Sequence, residues 1–432
     1  MFDRVNELSE SLIGDSSGEI AIDEGALDGT LRDDEHPRYV LASDSIEHET
    51  EGRTATVEPD GNHAVYLIVT DERVLVVLGG QPDAVEIEFP FDSIRTSTVE
   101  SRLMSQTLTV GNGEEVIRFS SSSDDLTDTQ EYIQRLSEQY RQVQTALESA
   151  EETFETLESK IRNEGDGTRL WSRVQSSLSD ARHHATHDSG RHPLRRTPDD
   201  DSVQSEKLLA RTTDAEREFR RRYVDAWLER GENDVERARE ALRDDEYDVF
   251  CEAYLTASRA VSELRESIEG AESDFDGVEE RVESMADRVD DLGNSYVDAI
   301  GDAHERATNG DTETAAVQRF EVYRRVEAAQ RAGWRRAAGV VPLDLPEPAE
   351  TIATEAIDAI ERRVSELERT GDDWQGEDDS RARDHYERAI ERLRDARRIV
   401  ESNESDAERD LEGRLSDLQE KIERTKWEWG KG

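Results

Sequence analysis

Cysteine is nearly missing from this chain. Cys251 is the sole thiol, which excludes an intramolecular disulfide and a cysteine-built metal cluster. Lysine is scarce too: of 55 basic residues only Lys160, Lys207, Lys421, Lys426 and Lys431 are lysines, against 104 aspartates and glutamates. No apolar run approaches the roughly 20 residues a bilayer-spanning helix needs. A secretory signal is absent as well: Asp3, Glu7 and Glu10 fall among Phe2, Val5, Leu8, Leu12 and Ile13, a short amphipathic pattern. The expected location is cytoplasmic. Phosphate-cradling loops of the GxxxxGK[ST] and GxGxxG types, HExxH and GxSxG are all missing, so no cofactor and no enzymatic activity are expected.

What the chain has in excess is acid. A formal net charge of -49 over 432 residues would repel itself in dilute buffer. In molar salt the Debye length falls to about 3 Å and that repulsion is screened. Acid enrichment with lysine depletion therefore reads as adaptation to a high-salt cytoplasm. Disorder, the rival reading of such a charge, is opposed by the periodicity of the apolar residues. Nucleic acid is disfavoured as a partner, since its binding needs basic stripes and is weakened by salt. An anionic membrane is disfavoured on the same ground.

From about Arg38 to Ser120 the apolar period is two. Short strands are predicted at 39–41, 64–69, 73–78, 84–89, 94–99, 108–110 and 116–119, separated by Pro59-Asp60-Gly61, Asp71-Glu72, Gly79-Gly80-Gln81-Pro82 and Gly111-Asn112-Gly113. Thr127 followed by Gln130 starts a helix with a capping box. This order resembles the bacterial-type PH/GRAM-like domain. The resemblance rests on the hairpin Leu67-Ile68-Val69-Thr70-Asp71-Glu72-Arg73-Val74-Leu75-Val76, on Phe89-Pro90-Phe91-Asp92-Ser93-Ile94, on Thr107-Leu108-Thr109-Val110 and on the helix from Leu126. It covers about a quarter of the chain. It implies a small β-barrel or sandwich with a capping helix, used for docking lipid or protein. Lipid binding in such domains relies on basic residues in the loop joining the first strands. Here that stretch reads Glu47-His48-Glu49-Thr50-Glu51, which favours a protein partner.

After Leu126 the period changes. Ile133, Leu136, Tyr140, Val143, Leu147, Ala150, Phe154, Leu157 and Ile161 keep a 3,4 spacing over four heptads, the seam of a coiled coil or long bundle. A second seam runs from Tyr247 to Ala303 for about eight heptads and passes Gly270 and Gly277, which read as a kink or tight turn. Further helices are predicted at 214–230, 313–334, 348–367, 380–400 and 406–429, with breaks at Gly231 to Asp234, Asn309 to Asp311, Pro342 to Pro348 and Gly371 to Gly376. Tyr386 to Leu393 and Tyr247 to Ser258 faintly resemble the second helix of a tetratricopeptide-like repeat, without its 34-residue period.

The fold expected is an α+β multidomain chain: a small PH-like β-barrel or sandwich with a capping helix, then a mostly α coiled-coil or αα-hairpin region. Its parts are an amphipathic and acidic lead-in (1–35), the β domain with its closing helix (36–140), a coiled-coil-like continuation (126–180), a flexible linker (181–205) and a helical hairpin array (206–432).

Three features invite a binding role. His183 and His187 would share a helix face at i,i+4 and suit a divalent metal; solvated linker histidines are the preferred reading, so no metal is expected. Arg324, Arg325, Arg331, Arg335 and Arg336 gather around Trp334, a pattern that binds phosphates or an acidic partner face. The alternative, preferred here, is ion pairing with acidic neighbouring helices. Trp427, near the chain end, is either a partner anchor or packed against a neighbouring helix. These readings converge on a non-enzymatic adaptor or scaffold, its β domain docking a protein partner and its helical region mediating self-association or further binding. Peripheral membrane association and an enzyme of unrecognised type are the alternatives.

Overall fold

Val65–Thr70 and Arg73–Leu78 are the most apolar stretches of the first third of the chain and form adjacent antiparallel strands. Thr70 closes their two-residue turn, its hydroxyl accepting from the backbone N–H groups of Glu72 and Arg73 at 3.0 Å. The computed structural model describes residues 30–32, 35–59, 63–79, 85–102, 105–121, 126–164, 167–186, 200–269, 275, 277–343, 345, 348–402 and 408–427. Among them are nine strands: β1 Pro37–Ser43, β2 Ile46–Thr50, β3 Arg53–Val57, β4 Val65–Thr70, β5 Arg73–Leu78, β6 Val85–Pro90, β7 Thr96–Ser101, β8 Gln106–Gly111 and β9 Glu115–Ser121. They make two antiparallel sheets, ordered β1-β4-β5-β6 and β3-β2-β9-β8-β7. Helix α1, Leu126–Glu164, closes the core. Its Leu126, Tyr132, Ile133, Leu136, Tyr140 and Val143 pack with Leu67, Val69, Val74, Val76, Phe89, Phe91, Leu108, Val110, Ile117 and Phe119.

The β2–β3 hairpin corrects the sequence reading. Glu47 to Thr50, taken as part of an acidic loop, lie in β2, and Glu51 and Gly52 form the turn with φ of 52° and 73°. Positive φ at both central residues is the type I′ geometry that matches strand twist. Nothing apolar announces this hairpin beyond Ile46 and Val57. Ladder hydrogen bonds and cross-strand pairs such as Arg118–Glu49 at 2.7 Å hold it.

The remaining helices are α2 Thr168–Thr186, α3 Asp200–Arg243, α4 Tyr247–Ile268, α5 Val278–Asn309, α6 Thr312–Arg331, α7 Ala349–Trp374, α8 Asp379–Ser402 and α9 Glu408–Trp427, with a 3-10 turn at Trp334–Arg336. Two units divide the chain, Met1–Leu157 with Thr168–Phe219, and Glu158–Gly167 with Arg220–Gly432. The flexible linker of 181–205 is also corrected at both ends. Helix α2 runs on to Thr186 because Ala181 and Ala185 extend the buried stripe of Val174 and Leu178, and α3 already begins at Asp200. Residues 187–199 lie outside the described part. None of the described helices is long and apolar enough to cross a membrane.

In the second unit, consecutive helices run antiparallel. The long seam from Tyr247 to Ala303 is split between two of them: α4 ends at Ile268, and Gly277, at φ 78°, precedes α5. Arg265 pairs with Glu283 at 2.7 Å at one end of this hairpin, and Phe250 stacks on Tyr296 at 4.5 Å further along. Arg319 of α6 meets Glu355 of α7 while Glu313 meets Arg363, and Arg397 of α8 lies 3.8 Å from Glu412 of α9. Second neighbours also touch. Asp248 of α4 pairs with Arg331 of α6 at 3.1 Å, and Asp372 of α7 pairs with Lys421 of α9 at 2.8 Å.

The expected break at Gly231 to Asp234 is helix interior instead, while that at Gly371 to Gly376 falls at the far end of α7, after Trp374. Gly231 sits inside α3 where an added Cβ would stand 2.6 Å from Met285 Sδ and 3.0 Å from Ala260 Cβ, so glycine permits close helix approach. Gly371 sits inside α7, and there a Cβ would stand 2.5 Å from the Tyr386 ring. A ring yields less readily than a thioether. Gly371→Ala is therefore expected to destabilise the second unit by about 1–2 kcal/mol, overpacking outweighing the helix-propensity gain. Gly301, in α5, has open space around it, and Gly301→Ala is expected to stabilise by about 1 kcal/mol. Urea unfolding in molar KCl measures both; equal shifts for the two variants would contradict the packing argument.

Candidate functional site

Helix α6 is capped by Asp311, whose side chain accepts from Thr314 N at 2.8 Å. Its position between α5 and α7, beside α4, decides the surroundings of its arginines. Arg319 pairs with Glu355 and meets His304 Nδ1 at 3.2 Å. Arg324 donates to the Asp245 carbonyl at 3.1 Å and lies 4.9 Å above the Tyr247 ring. Arg325 pairs with Glu321 at 3.1 Å, donates to Tyr247 Oη at 2.9 Å and lies 4.4 Å over the same ring. Arg331 bridges Asp248 and Glu327 at 3.1 Å and 2.6 Å. Tyr247 in turn donates to Glu321 and Asp245, and burial together with these carboxylates pushes its phenol above the ordinary range.

Trp334 is not a surface anchor. It is 1% exposed and stacks on Tyr254 at 4.2 Å and Tyr296 at 5.3 Å, with Phe250 at 6.1 Å. Its indole Nε1–H donates to the Val341 carbonyl at 2.8 Å, while Val341 N–H donates to Tyr254 Oη at 3.0 Å. The connector after α6 is thereby fastened to α4, helped by Ser258 Oγ donating to Gly339 O at 2.9 Å. Burial raises the Tyr254 phenol to about 12, and likewise the Cys251 thiol to about 12. An unreactive core cysteine follows. Gly293 leaves room for the tyrosine: a Cβ there would stand 2.5 Å from Tyr254 Oη.

Two arginines of the segment are left over. Arg335 and Arg336 are exposed on the 3-10 turn and have no ion pair among the described residues. The chain matches no protein-family model, no curated protein and no solved structure.

The other expected site residues are dispersed. His183 is exposed on α2, and its ring centroid is 5.9 Å from that of His184; His187 lies outside the described residues. Among the described residues, no group of three or more histidine, cysteine or carboxylate side chains is placed to hold a metal. Trp427 is the last residue of α9, and its side chain lies outside the described part.

Sequence reasoning missed a polar cluster in the β-rich unit. Glu35, 6% exposed, accepts hydrogen bonds from Arg73 Nε at 2.7 Å and Nη2 at 2.6 Å, from Thr70 Oγ1 at 2.8 Å and from Arg32 N at 3.0 Å. Burial works to raise its pKa, but these donors outweigh it and hold the carboxyl below the ordinary range. Arg73 also pairs with Glu88 at 2.8 Å, and its Nη2 donates to the Thr30 carbonyl at 3.1 Å. Beside it Asp71, fully buried, accepts from His36 N at 2.9 Å. Lys207 Nζ stands 3.2 Å from Asp71 Oδ2, an ion-pair distance without hydrogen-bond alignment, and donates to Glu72 at 2.7 Å. The one signal available in sequence was a charged triplet, Asp71-Glu72-Arg73, at the centre of an otherwise apolar hairpin.

Proposed function

We propose that the protein is a non-enzymatic adaptor of a high-salt cytoplasm, with a PH/GRAM-like β domain docking a protein partner and the helical array offering a second binding surface. The carrying observation is the order of the helices in the second unit: α4 to α9 each pack on the next, and α4 with α6, α6 with α8 and α7 with α9 also touch, as in stacked αα-hairpins. Such arrays present extended helix faces to partners. Arg335 and Arg336, exposed on a chain of net charge -49, suit an acidic partner face. Two antiparallel sheets closed by a helix support the PH-like reading of the β domain.

The test is cross-linking in the native salty cytoplasm from positions on α4 to α9, with the linked peptides sequenced. A recurrent protein partner is expected, and Arg335→Glu with Arg336→Glu should lower its yield about tenfold, or about 1.4 kcal/mol of affinity. A monomer with no recurrent cross-link would overturn the reading. The salt adaptation has its own check: lowering KCl from molar to about 0.1 M lengthens the Debye length to about 10 Å and should unfold the chain. Unchanged circular dichroism across that range would refute it.

A further inference from the structure

The sheet β1-β4-β5-β6 has two apolar faces. One packs under α1. On the other, Tyr66 and Ile68 of β4, Leu75 and Val77 of β5 and the neighbouring Ala64 are between 0% and 7% exposed. An antiparallel sheet with one face in water alternates apolar and polar residues. Strands β4 and β5 do not alternate, reading VYLIVT and RVLVVL. Side chains as buried as Ile68, Leu75 and Val77 need a layer above them. Among the described hydrophobic residues packed on this face, Val40 and Ala42 belong to the sheet itself, and Leu31 alone comes from outside it. One leucine does not cover a sheet face.

The polar cluster fixes where the chain enters. Arg73 holds Glu35 and the Thr30 carbonyl, and Arg32 pairs with Glu72 at 3.2 Å and Glu88 at 3.1 Å. Residues 30–32 and 35–36 are therefore fastened to the sheet, with Leu31 on the apolar face. The sequence holds 29 residues before Thr30. They contain Phe2, Val5, Leu8, Leu12 and Ile13 at helical spacing with Asp3, Glu7 and Glu10 between them. A helix of that stretch would be about 18 Å long, close to the roughly 20 Å of a six-residue strand. The intervening stretch, Gly14 to Gly29, has ample reach to fold back at up to about 3.3 Å per residue.

We propose that this outer sheet face is a docking surface and that its occupant is the chain's own amphipathic segment Phe2–Ile13. Tethering sets its effective concentration near millimolar, so the face stays covered without a tight intrinsic contact. A competing amphipathic helix would have to displace it.

Thiol labelling of the full chain in molar KCl tests this, with mass mapping to separate the introduced thiol from buried Cys251. Val77→Cys reports the outer face; Val76→Cys, on the inner face of the same strand, reports unfolding of the β unit. Val77→Cys should label slowly, and adding Leu8→Asp with Leu12→Asp should raise its rate at least tenfold while Val76→Cys stays protected. Should the aspartates unfold the unit, exposing Val76→Cys, the milder Leu8→Ala with Leu12→Ala takes their place and must still raise the Val77→Cys rate severalfold. Fast labelling before any change in the segment means an open face and overturns the proposal. So does protection indifferent to both pairs, which points to another cover, and protection that fades on dilution, which points to a second copy.

Discussion

Arg73→Met is expected to destabilise the β-rich unit by about 3–5 kcal/mol, the cost of leaving a buried carboxylate without its cation. Glu35 would keep the Thr70 and Arg32 donors but lose both guanidinium hydrogen bonds. The pH dependence should change sign with it. In the unaltered chain the Glu35 carboxyl is held below its ordinary range, so its contribution is present above that range and is lost as pH falls through the depressed value. In Arg73→Met burial dominates and lifts the Glu35 pKa, so the variant should gain stability on acidification and lose it as pH rises. Glu35→Gln with Arg73→Met removes the stranded charge and should recover most of the loss. Urea unfolding in molar KCl, followed at several pH values, reads all three. A loss below about 1 kcal/mol, the range of an exposed pair, would show that Glu35 is reached by water.

Trp334→Ala should cost the helical unit a similar amount, about 3–5 kcal/mol. The indole fills the space between α4 and α5, with Tyr254, Tyr296 and Phe250 around it. Its removal opens a cavity, ends ring contacts each worth about 0.5–1.5 kcal/mol and strips the Val341 carbonyl of its donor. Trp334→Phe should retain most of the packing and lose chiefly that hydrogen bond. The near-ultraviolet dichroism of the ring stack should collapse in the alanine variant, and proteolysis within 337–343 should quicken because the connector loses its fastening. Unfolding midpoints that coincide for Trp334→Ala and the parent would place the indole outside the core.

Elements whose own residues carry the signal were legible in the sequence. The β4–β5 hairpin was visible because a continuous apolar run meets a two-residue polar turn, and α1 because one 3,4 stripe runs unbroken from Ile133 to Ile161. Elements defined by their neighbours were not. The β2–β3 hairpin is polar on both sides, so ladder pairing builds it and no periodicity betrays it. Gly231 and Gly371 look like breaks in one dimension, while in three they are the places where Met285 and Tyr386 come too close for a Cβ. The arginines of α6 could be noticed, but their state depends on Asp245, Asp248 and Glu355, which lie on other elements. Glu35 and Arg73 are 38 positions apart, in a chain where acids are too common for any one to stand out.

The order in which helices α4 to α9 pack also governs how that unit comes apart. Nearly every contact among these helices joins neighbours along the chain, so the array behaves as a row of coupled segments, each steadied by the helices beside it. Helix α9 is the last of the described helices, and Leu411, Leu418 and Ile422, none of them aromatic, supply burial on its packed face. When screening is withdrawn, melting should begin there and travel backward toward the rings around Trp334. Assembly would run the other way, each helix docking as it leaves the ribosome on a predecessor already in place.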